Sequence, residues 1–151
     1  MYRQNQIIID LGAIQHNYEL MKQRMPSQTR VMAVVKANAY GHGMVEVAKV
    51  VEAAGATDLA VAIPEEGIEL REQGIRSAIL VLGAATEPAI EVAIEYGLTM
   101  TVFEPHMVVL LEQAAIRLGK PALLHIKLDT GMTRIGLRTV AEADALAFAL
   151  S

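Results

Sequence analysis

Four glycines, Gly55, Gly74, Gly97 and Gly119, each close a helix-patterned stretch a few residues ahead of a short apolar run. Glycine takes the left-handed conformation that terminates a helix at no steric cost, so the pattern predicts helix, glycine, strand, repeated roughly every 20 residues. The predicted strands are residues 30–35, 59–63, 78–82, 98–103 and 122–128. Each is a continuous apolar run rather than an alternating one, as expected for a parallel sheet covered by helices. Pro64, Pro88 and Pro105 open three of the intervening helices, because proline's fixed φ suits the first helical position. Glu65 and Glu66 follow where the helix dipole favours acids. Met44, Val47, Ala48 and Val51 form one helix face, as do Val108, Leu111, Ala115 and Leu118. Such repeated units build either a (β/α) barrel or a doubly wound sheet. Leucine-rich repeats share the period, but their fixed leucine pattern is absent.

The ends of the chain read differently. Residues 6–11 form an apolar run predicted as an opening strand. A helix over residues 13–25 follows from Leu11, Ile14, Tyr18, Met21 and Met25 on one face, and Pro26 ends it. Five strand–helix units follow, where a full barrel takes eight in roughly 250 residues. The sequence stops at Ser151 inside a helical pattern that begins near Ala141, so the expectation is an α/β, incomplete TIM-type (β/α) barrel, its N-terminal portion with parallel strands and alternating helices.

Composition narrows the function classes. With 53% hydrophobic residues the chain is far too apolar for intrinsic disorder. It has no cysteine, which excludes disulfides and thiolate metal sites. A net charge of -4 without a Lys/Arg block argues against nucleic acid or an anionic membrane as partner. The mean hydropathy of +0.34 raises the question of a membrane span. The longest uncharged candidate, residues 78–86, is far short of the roughly 20 residues required. No signal-peptide core follows Met1, and a soluble cytoplasmic protein is expected.

Two segments carry chemistry. The first is Val35-Lys36-Ala37-Asn38-Ala39-Tyr40-Gly41-His42-Gly43. A lysine just after an apolar strand stands at the strand's C-terminal end, where barrel active sites are built. Desolvation there favours the neutral amine needed for Schiff-base chemistry, and the small residues that follow let backbone approach a ligand. The bland alternative is a lysine that only snorkels at a strand end. The second segment is His125-Ile126-Lys127-Leu128-Asp129-Thr130-Gly131-Met132-Thr133-Arg134-Ile135-Gly136. His125 and Lys127 share a face by strand parity, which Asp129 joins only if the strand runs that far. Arg134 sits in a glycine-flanked turn, placed to hold an anion in two-pronged fashion. The bland alternative is a solvated surface cluster of small energetic weight. His16, His42 and His106 read as surface, packing or loop-shaping residues, and no pair has metal-ligand spacing.

Taken together, and with Ile7-Ile8-Ile9-Asp10-Leu11-Gly12-Ala13-Ile14-Gln15-His16-Asn17 ahead of them, these segments resemble the N-terminal part of the alanine racemases. Related PLP barrels keep only a shorter Val-Lys-Ala-Asn core. The resemblance implies an isomerase that uses pyridoxal 5'-phosphate to interconvert L- and D-alanine, supplying D-alanine for cell-wall peptidoglycan. It implies that Lys36 holds the cofactor and serves as base, and that Tyr40 contacts its phosphate. It also implies that Arg134 contacts the phenolic oxygen and the substrate carboxylate. Lys127 matches a lysine that many members carry as an N6-carboxylysine. His125 is expected behind these residues, and no metal is implied.

The same resemblance divides the chain into residues 1–12, an opening strand for a C-terminal β domain, and residues 13–151, the N-terminal portion of a (β/α)8 PLP-binding barrel. The family works as a homodimer in which a tyrosine from the partner's C-terminal domain supplies the second base. Neither that tyrosine nor the pyridine-nitrogen arginine is assigned within this sequence, so little activity is expected of the chain alone. A serine or broad-specificity racemase, or a self-associating half-barrel without catalysis, are the competing expectations.

Overall fold

The computed structural model describes residues 6–150. Five strands run through it: β1 (Met32–Val34), β2 (Asp58–Val61), β3 (Ala78–Val81), β4 (Thr99–Val102) and β5 (Leu123–Ile126). All neighbouring pairs are parallel, and the spatial order is β1-β2-β3-β4-β5, the same as the order in sequence. That order bears out the expected barrel portion over the doubly wound alternative. A doubly wound sheet reverses direction at a switch point, whereas this sheet grows one way only. Crossovers of uniform hand then put every connecting helix on one side, which is the arrangement of a barrel wall.

The helices are α1 (Leu11–Arg24), α2 (Lys36–Tyr40), α3 (Met44–Ala53), α4 (Pro64–Glu72), α5 (Glu87–Glu95), α6 (Pro105–Leu118) and α7 (Val140–Ala149). The prolines stand in the first turns of α4, α5 and α6 as expected. Gly55, Gly74, Gly97 and Gly119 all take positive φ just after their helices. On the helix-facing side of the sheet Leu59, Val61, Ile79, Val81, Met100 and Val102 are fully buried, against Leu70, Ile90, Ala93 and Leu111. Burying each such Leu, Ile, Val or Met side chain contributes roughly 1.5–3 kcal/mol, so this layer holds the wall together. The opposite, concave face closes only at its centre. Ala60, Leu80 and Thr101 are buried, whereas Val34 on β1 and Leu123 on β5 are 44% and 48% exposed.

The N-terminal segment differs from the sequence expectation. Among the described residues 6–10 there is no strand pairing, and Ile7 and Ile8 are exposed. Residues 1–5 of the expected opening strand lie outside the described residues. Leu11, read as the end of that strand, begins α1 instead, because the Asp10 carboxylate accepts the Ala13 N–H at 3.0 Å and caps the helix two residues earlier. Of the expected α1 face, Tyr18 is buried, Leu11 and Ile14 pack at the edge of the core, and Met21 remains 52% exposed. No helix among the described residues is long and apolar enough to cross a membrane.

Candidate active site

The lysine segment is not the loose loop its small residues suggest. After Val35, residues Ala37, Asn38, Ala39 and Tyr40 all adopt left-handed helical backbone, with φ of 51°, 54°, 50° and 54°. For L-residues this costs roughly 1–2 kcal/mol each, and four in a row persist only where surrounding bonds over-determine them. Those bonds are present. The Ala39 N–H donates to the Val35 carbonyl at 2.8 Å, and the Gly41 and Gly43 N–H groups both donate to the Asn38 carbonyl at 3.0 Å. The Asn38 Oδ1 accepts the Met44 N–H at 2.9 Å, which also caps α3. His42 Nδ1 lies 2.8 Å from the Ala39 carbonyl oxygen. His42 therefore shapes the turn, as its place between two glycines suggests.

The second segment forms a closed loop after β5. The ladder continues one step, with the Lys127 N–H donating to the Val102 carbonyl at 2.9 Å. Leu128 then bridges to Leu137, through Asp129 N–H to Leu137 O at 2.7 Å and Leu137 N–H to Lys127 O at 2.9 Å. Asp129 does not join the strand face. Its side chain is 2% exposed and turns into the loop, where Oδ1 accepts the Thr133 N–H at 2.9 Å and the Gly131 N–H at 3.1 Å. These two backbone donors, Thr133 first, hold its carboxyl below the usual aspartate range. Gly136 stands with φ +128°, and a Cβ at this position would lie 2.8 Å from the Asp129 amide nitrogen, so a side chain there would force the backbone apart. Arg134 lies in the sequence between these two fixed points, exposed, with its Nη2 donating to Met132 Sδ at 3.6 Å.

The two segments meet. A cleft of about 380 Å³ is lined by Lys36, His125, Lys127 and Arg134, with Leu80, Leu82 and Thr101 as its apolar and hydroxyl floor. Thr101 is buried and donates through Oγ1 to the Val81 carbonyl at 2.6 Å, so it serves the floor rather than the opening. A smaller cleft of about 280 Å³ adjoins it, lined by Lys36, Ala62, Leu82, Gly83, Ala84, Arg134 and Ile135. Three cationic side chains converge, and among the described residues no Asp or Glu lines either cleft. The first cleft lies within the size range of small-molecule sites. A larger depression of about 490 Å³ shares Arg134 but lies away from Lys36, between the start of α6 and α7. Tyr40 is not gathered in: its ring is 63% exposed and lines neither of the Lys36 clefts. Among the described residues no group of three or more His, Asp or Glu side chains is placed to hold a metal ion.

Sequence reasoning missed one participant. Glu66, read only as an acid suited to a helix start, accepts the Ala37 N–H at 2.6 Å with Oε1 and the Ala62 N–H at 2.7 Å with Oε2. Its signal was an acid at the third helical position, from which a side chain can reach back to the N–H groups ahead of the helix.

Comparison with known proteins bears on the family and the fold. Residues 9–151 match the family model described as alanine racemase, N-terminal domain. Alanine racemase 2 of Oceanobacillus iheyensis is 44% identical over 149 residues, which is 99% of this chain and 38% of that protein. The alanine racemase structure from Clostridium difficile 630 superposes with a TM-score of 0.90 at 38% identity, over 93% of this chain and 37% of that one. The Bacillus anthracis alanine racemase with bound L-Ala-P gives 0.86 at 42% identity, over 99% of this chain and 39% of that one. The chain thus spans a little over a third of the length of the relatives it matches.

Proposed function

The chain belongs to the alanine racemase N-terminal domain family, and from that premise we propose that it carries the cofactor-bearing wall of an active site that interconverts L- and D-alanine with pyridoxal 5'-phosphate. The observation that supports this most directly is the convergence of Lys36, Lys127 and Arg134 on one cleft that no carboxylate lines. A phosphorylated aldehyde carrying a phenolic oxygen needs one amine to bond its carbonyl carbon and further cations for its negative groups. The residues present fit those needs.

When bound, the cofactor supplies an electron-withdrawing ring that stabilises negative charge at the substrate α-carbon. Lys36 Nζ would hold the cofactor through its aldehyde carbon, and the same amine would take or return the proton at the substrate α-carbon from one face. Arg134 would orient the phenolic oxygen and the substrate carboxylate through its guanidinium. Lys127, beside Arg134 in the cleft, is proposed to carry a carbamate that gives the guanidinium an anionic partner. Tyr40, exposed at the far end of the left-handed turn, would contact the cofactor's phosphate. The proton on the opposite face is assigned to a tyrosine of a partner subunit, so the working protein is a cytoplasmic homodimer that supplies D-alanine for peptidoglycan. Residues 1–12 are proposed to associate with a C-terminal β domain, and residues 13–151 to form the N-terminal portion of the barrel.

The test is covalent attachment. Pyridoxal 5'-phosphate followed by borohydride should leave a pyridoxyl group on the peptide that contains Lys36, read by mass spectrometry. Lys36→Ala should abolish that adduct; an adduct of equal yield on other lysines in the variant would refute the assignment.

A further inference from the structure

In a parallel ladder a residue whose N–H donates to one neighbour receives, at its own carbonyl, the N–H two residues further along the partner strand. Val35 donates to the Ala60 carbonyl at 2.9 Å, so an unbroken ladder would bring the Ala62 N–H to the Val35 carbonyl. It does not. The Ala62 N–H goes to Glu66 Oε2, and the Val35 carbonyl instead accepts Ala39 N–H, the bond that closes the left-handed turn. Glu66 Oε1 takes the Ala37 N–H, the first donor after Lys36. One carboxylate therefore absorbs both donors at the point where β1 and β2 part.

We propose that Glu66 is a positioning residue for Lys36: by occupying the Ala62 and Ala37 N–H groups it ends the β1–β2 ladder, frees the Val35 carbonyl to close the left-handed turn, and so fixes the direction in which Lys36 leaves the sheet. This rests on the reading of Lys36 as the cofactor-bearing lysine, but the geometric claim stands apart from it. A carboxylate is needed because two N–H donors must be met by two acceptors. An amide of the same shape has one acceptor, and its NH2 group would face the other donor and repel it.

The variant Glu66→Gln is therefore the test, with Glu52→Gln as its control. Glu52 also accepts two backbone N–H groups, of Arg76 and Ser77, together with the Ser77 hydroxyl, but all through Oε1, which an amide retains, and at the opposite end of the sheet. In the full protein, Glu66→Gln should weaken the borohydride-trapped pyridoxal 5'-phosphate adduct on Lys36 by about tenfold in apparent affinity, the scale of one charge-assisted hydrogen bond. Glu52→Gln should leave that affinity within about twofold even if its melting temperature falls as far. Backbone amide exchange at Ala37–Gly41 should quicken in Glu66→Gln and not in Glu52→Gln. Equal adduct affinity in Glu66→Gln and wild type, or an equal loss in both variants, would overturn the proposal. If wild type forms no Lys36 adduct, the cofactor reading fails. Amide exchange then decides for Glu66 alone: unchanged protection at Ala37 overturns it and selective loss supports it.

Discussion

The wall beside Lys36 contains a contact that a single methyl group should break. Gly83 follows β3, and its N–H donates to the Ala62 carbonyl at 3.0 Å. A Cβ at position 83 would stand 2.6 Å from that same carbonyl oxygen. Ordinary contact begins at 3.4 Å, so the pair must part by about 0.8 Å. The neighbour is backbone rather than the tip of a flexible side chain, and separation stretches the very hydrogen bond that joins the two. Gly83→Ala should therefore combine a weakened hydrogen bond with backbone strain, about 2–3 kcal/mol in all. For a domain of this size that lowers the melting temperature by roughly 5–10 °C. Gly74→Ala is the comparison. Gly74 has φ +87° but open space around it, so alanine there meets torsional strain without a clash, about 1 kcal/mol. Urea unfolding of the two variants gives the stabilities. Trapping of pyridoxal 5'-phosphate on Lys36 gives the local effect, because Ala62 is held by Glu66 and borders the Lys36 cleft. Gly83→Ala should impair both measurements and Gly74→Ala stability alone. A Gly83→Ala protein within about 0.5 kcal/mol of wild type, the range of a neutral surface change, would refute the steric reasoning.

Three further outcomes follow from other contacts. Arg71 donates to the carbonyls of Ile75, Ser77, Tyr96 and Gly97, tying α4 to the start of β3 and the end of α5. Arg71→Lys keeps the charge but loses the fork and should cost about 2 kcal/mol by chemical denaturation. Asn38→Ala removes the acceptor for the Met44 N–H and should cost about 1 kcal/mol, with faster amide exchange at Met44 than elsewhere in α3. Burial alone would raise the Glu52 carboxyl, but the Ser77 hydroxyl and amide and the Arg76 amide outweigh it and hold Glu52 below the ordinary glutamate value. A depressed native value means that this stabilisation is full above the ordinary glutamate range and is lost as pH falls through the native value. Melting temperatures measured across the acid limb should fall less steeply in Glu52→Gln than in wild type.

Much of the fold follows from short-range rules. Apolar runs of strand length, prolines opening α4, α5 and α6, and glycines closing the helices are signals carried within a few residues, and apart from the opening strand expected over residues 6–11 the expected elements formed within a few positions of their places. Where local rules competed, boundaries moved: the Asp10 side chain capped α1 at Leu11, a position the apolar run had assigned to a strand. The left-handed turn was not legible in the same way. Ala37, Ala39 and Tyr40 have no intrinsic preference for it, and only Asn38 and the flanking glycines hint at an unusual backbone.

By itself, then, the sequence determined that strands and helices alternate, that the sheet is parallel, and that Lys36 and Arg134 each follow a strand. The tertiary structure decided three things. It set the strand order, which makes a barrel wall rather than a doubly wound sheet. It brought Lys36 on the first strand to the same cleft as Lys127 and Arg134 beyond the fifth. And it gave Glu66 to the lysine turn. The reason is common to all three. Which residues meet depends on the register of four successive ladders and on the curvature they accumulate, and no window of neighbouring residues contains that sum.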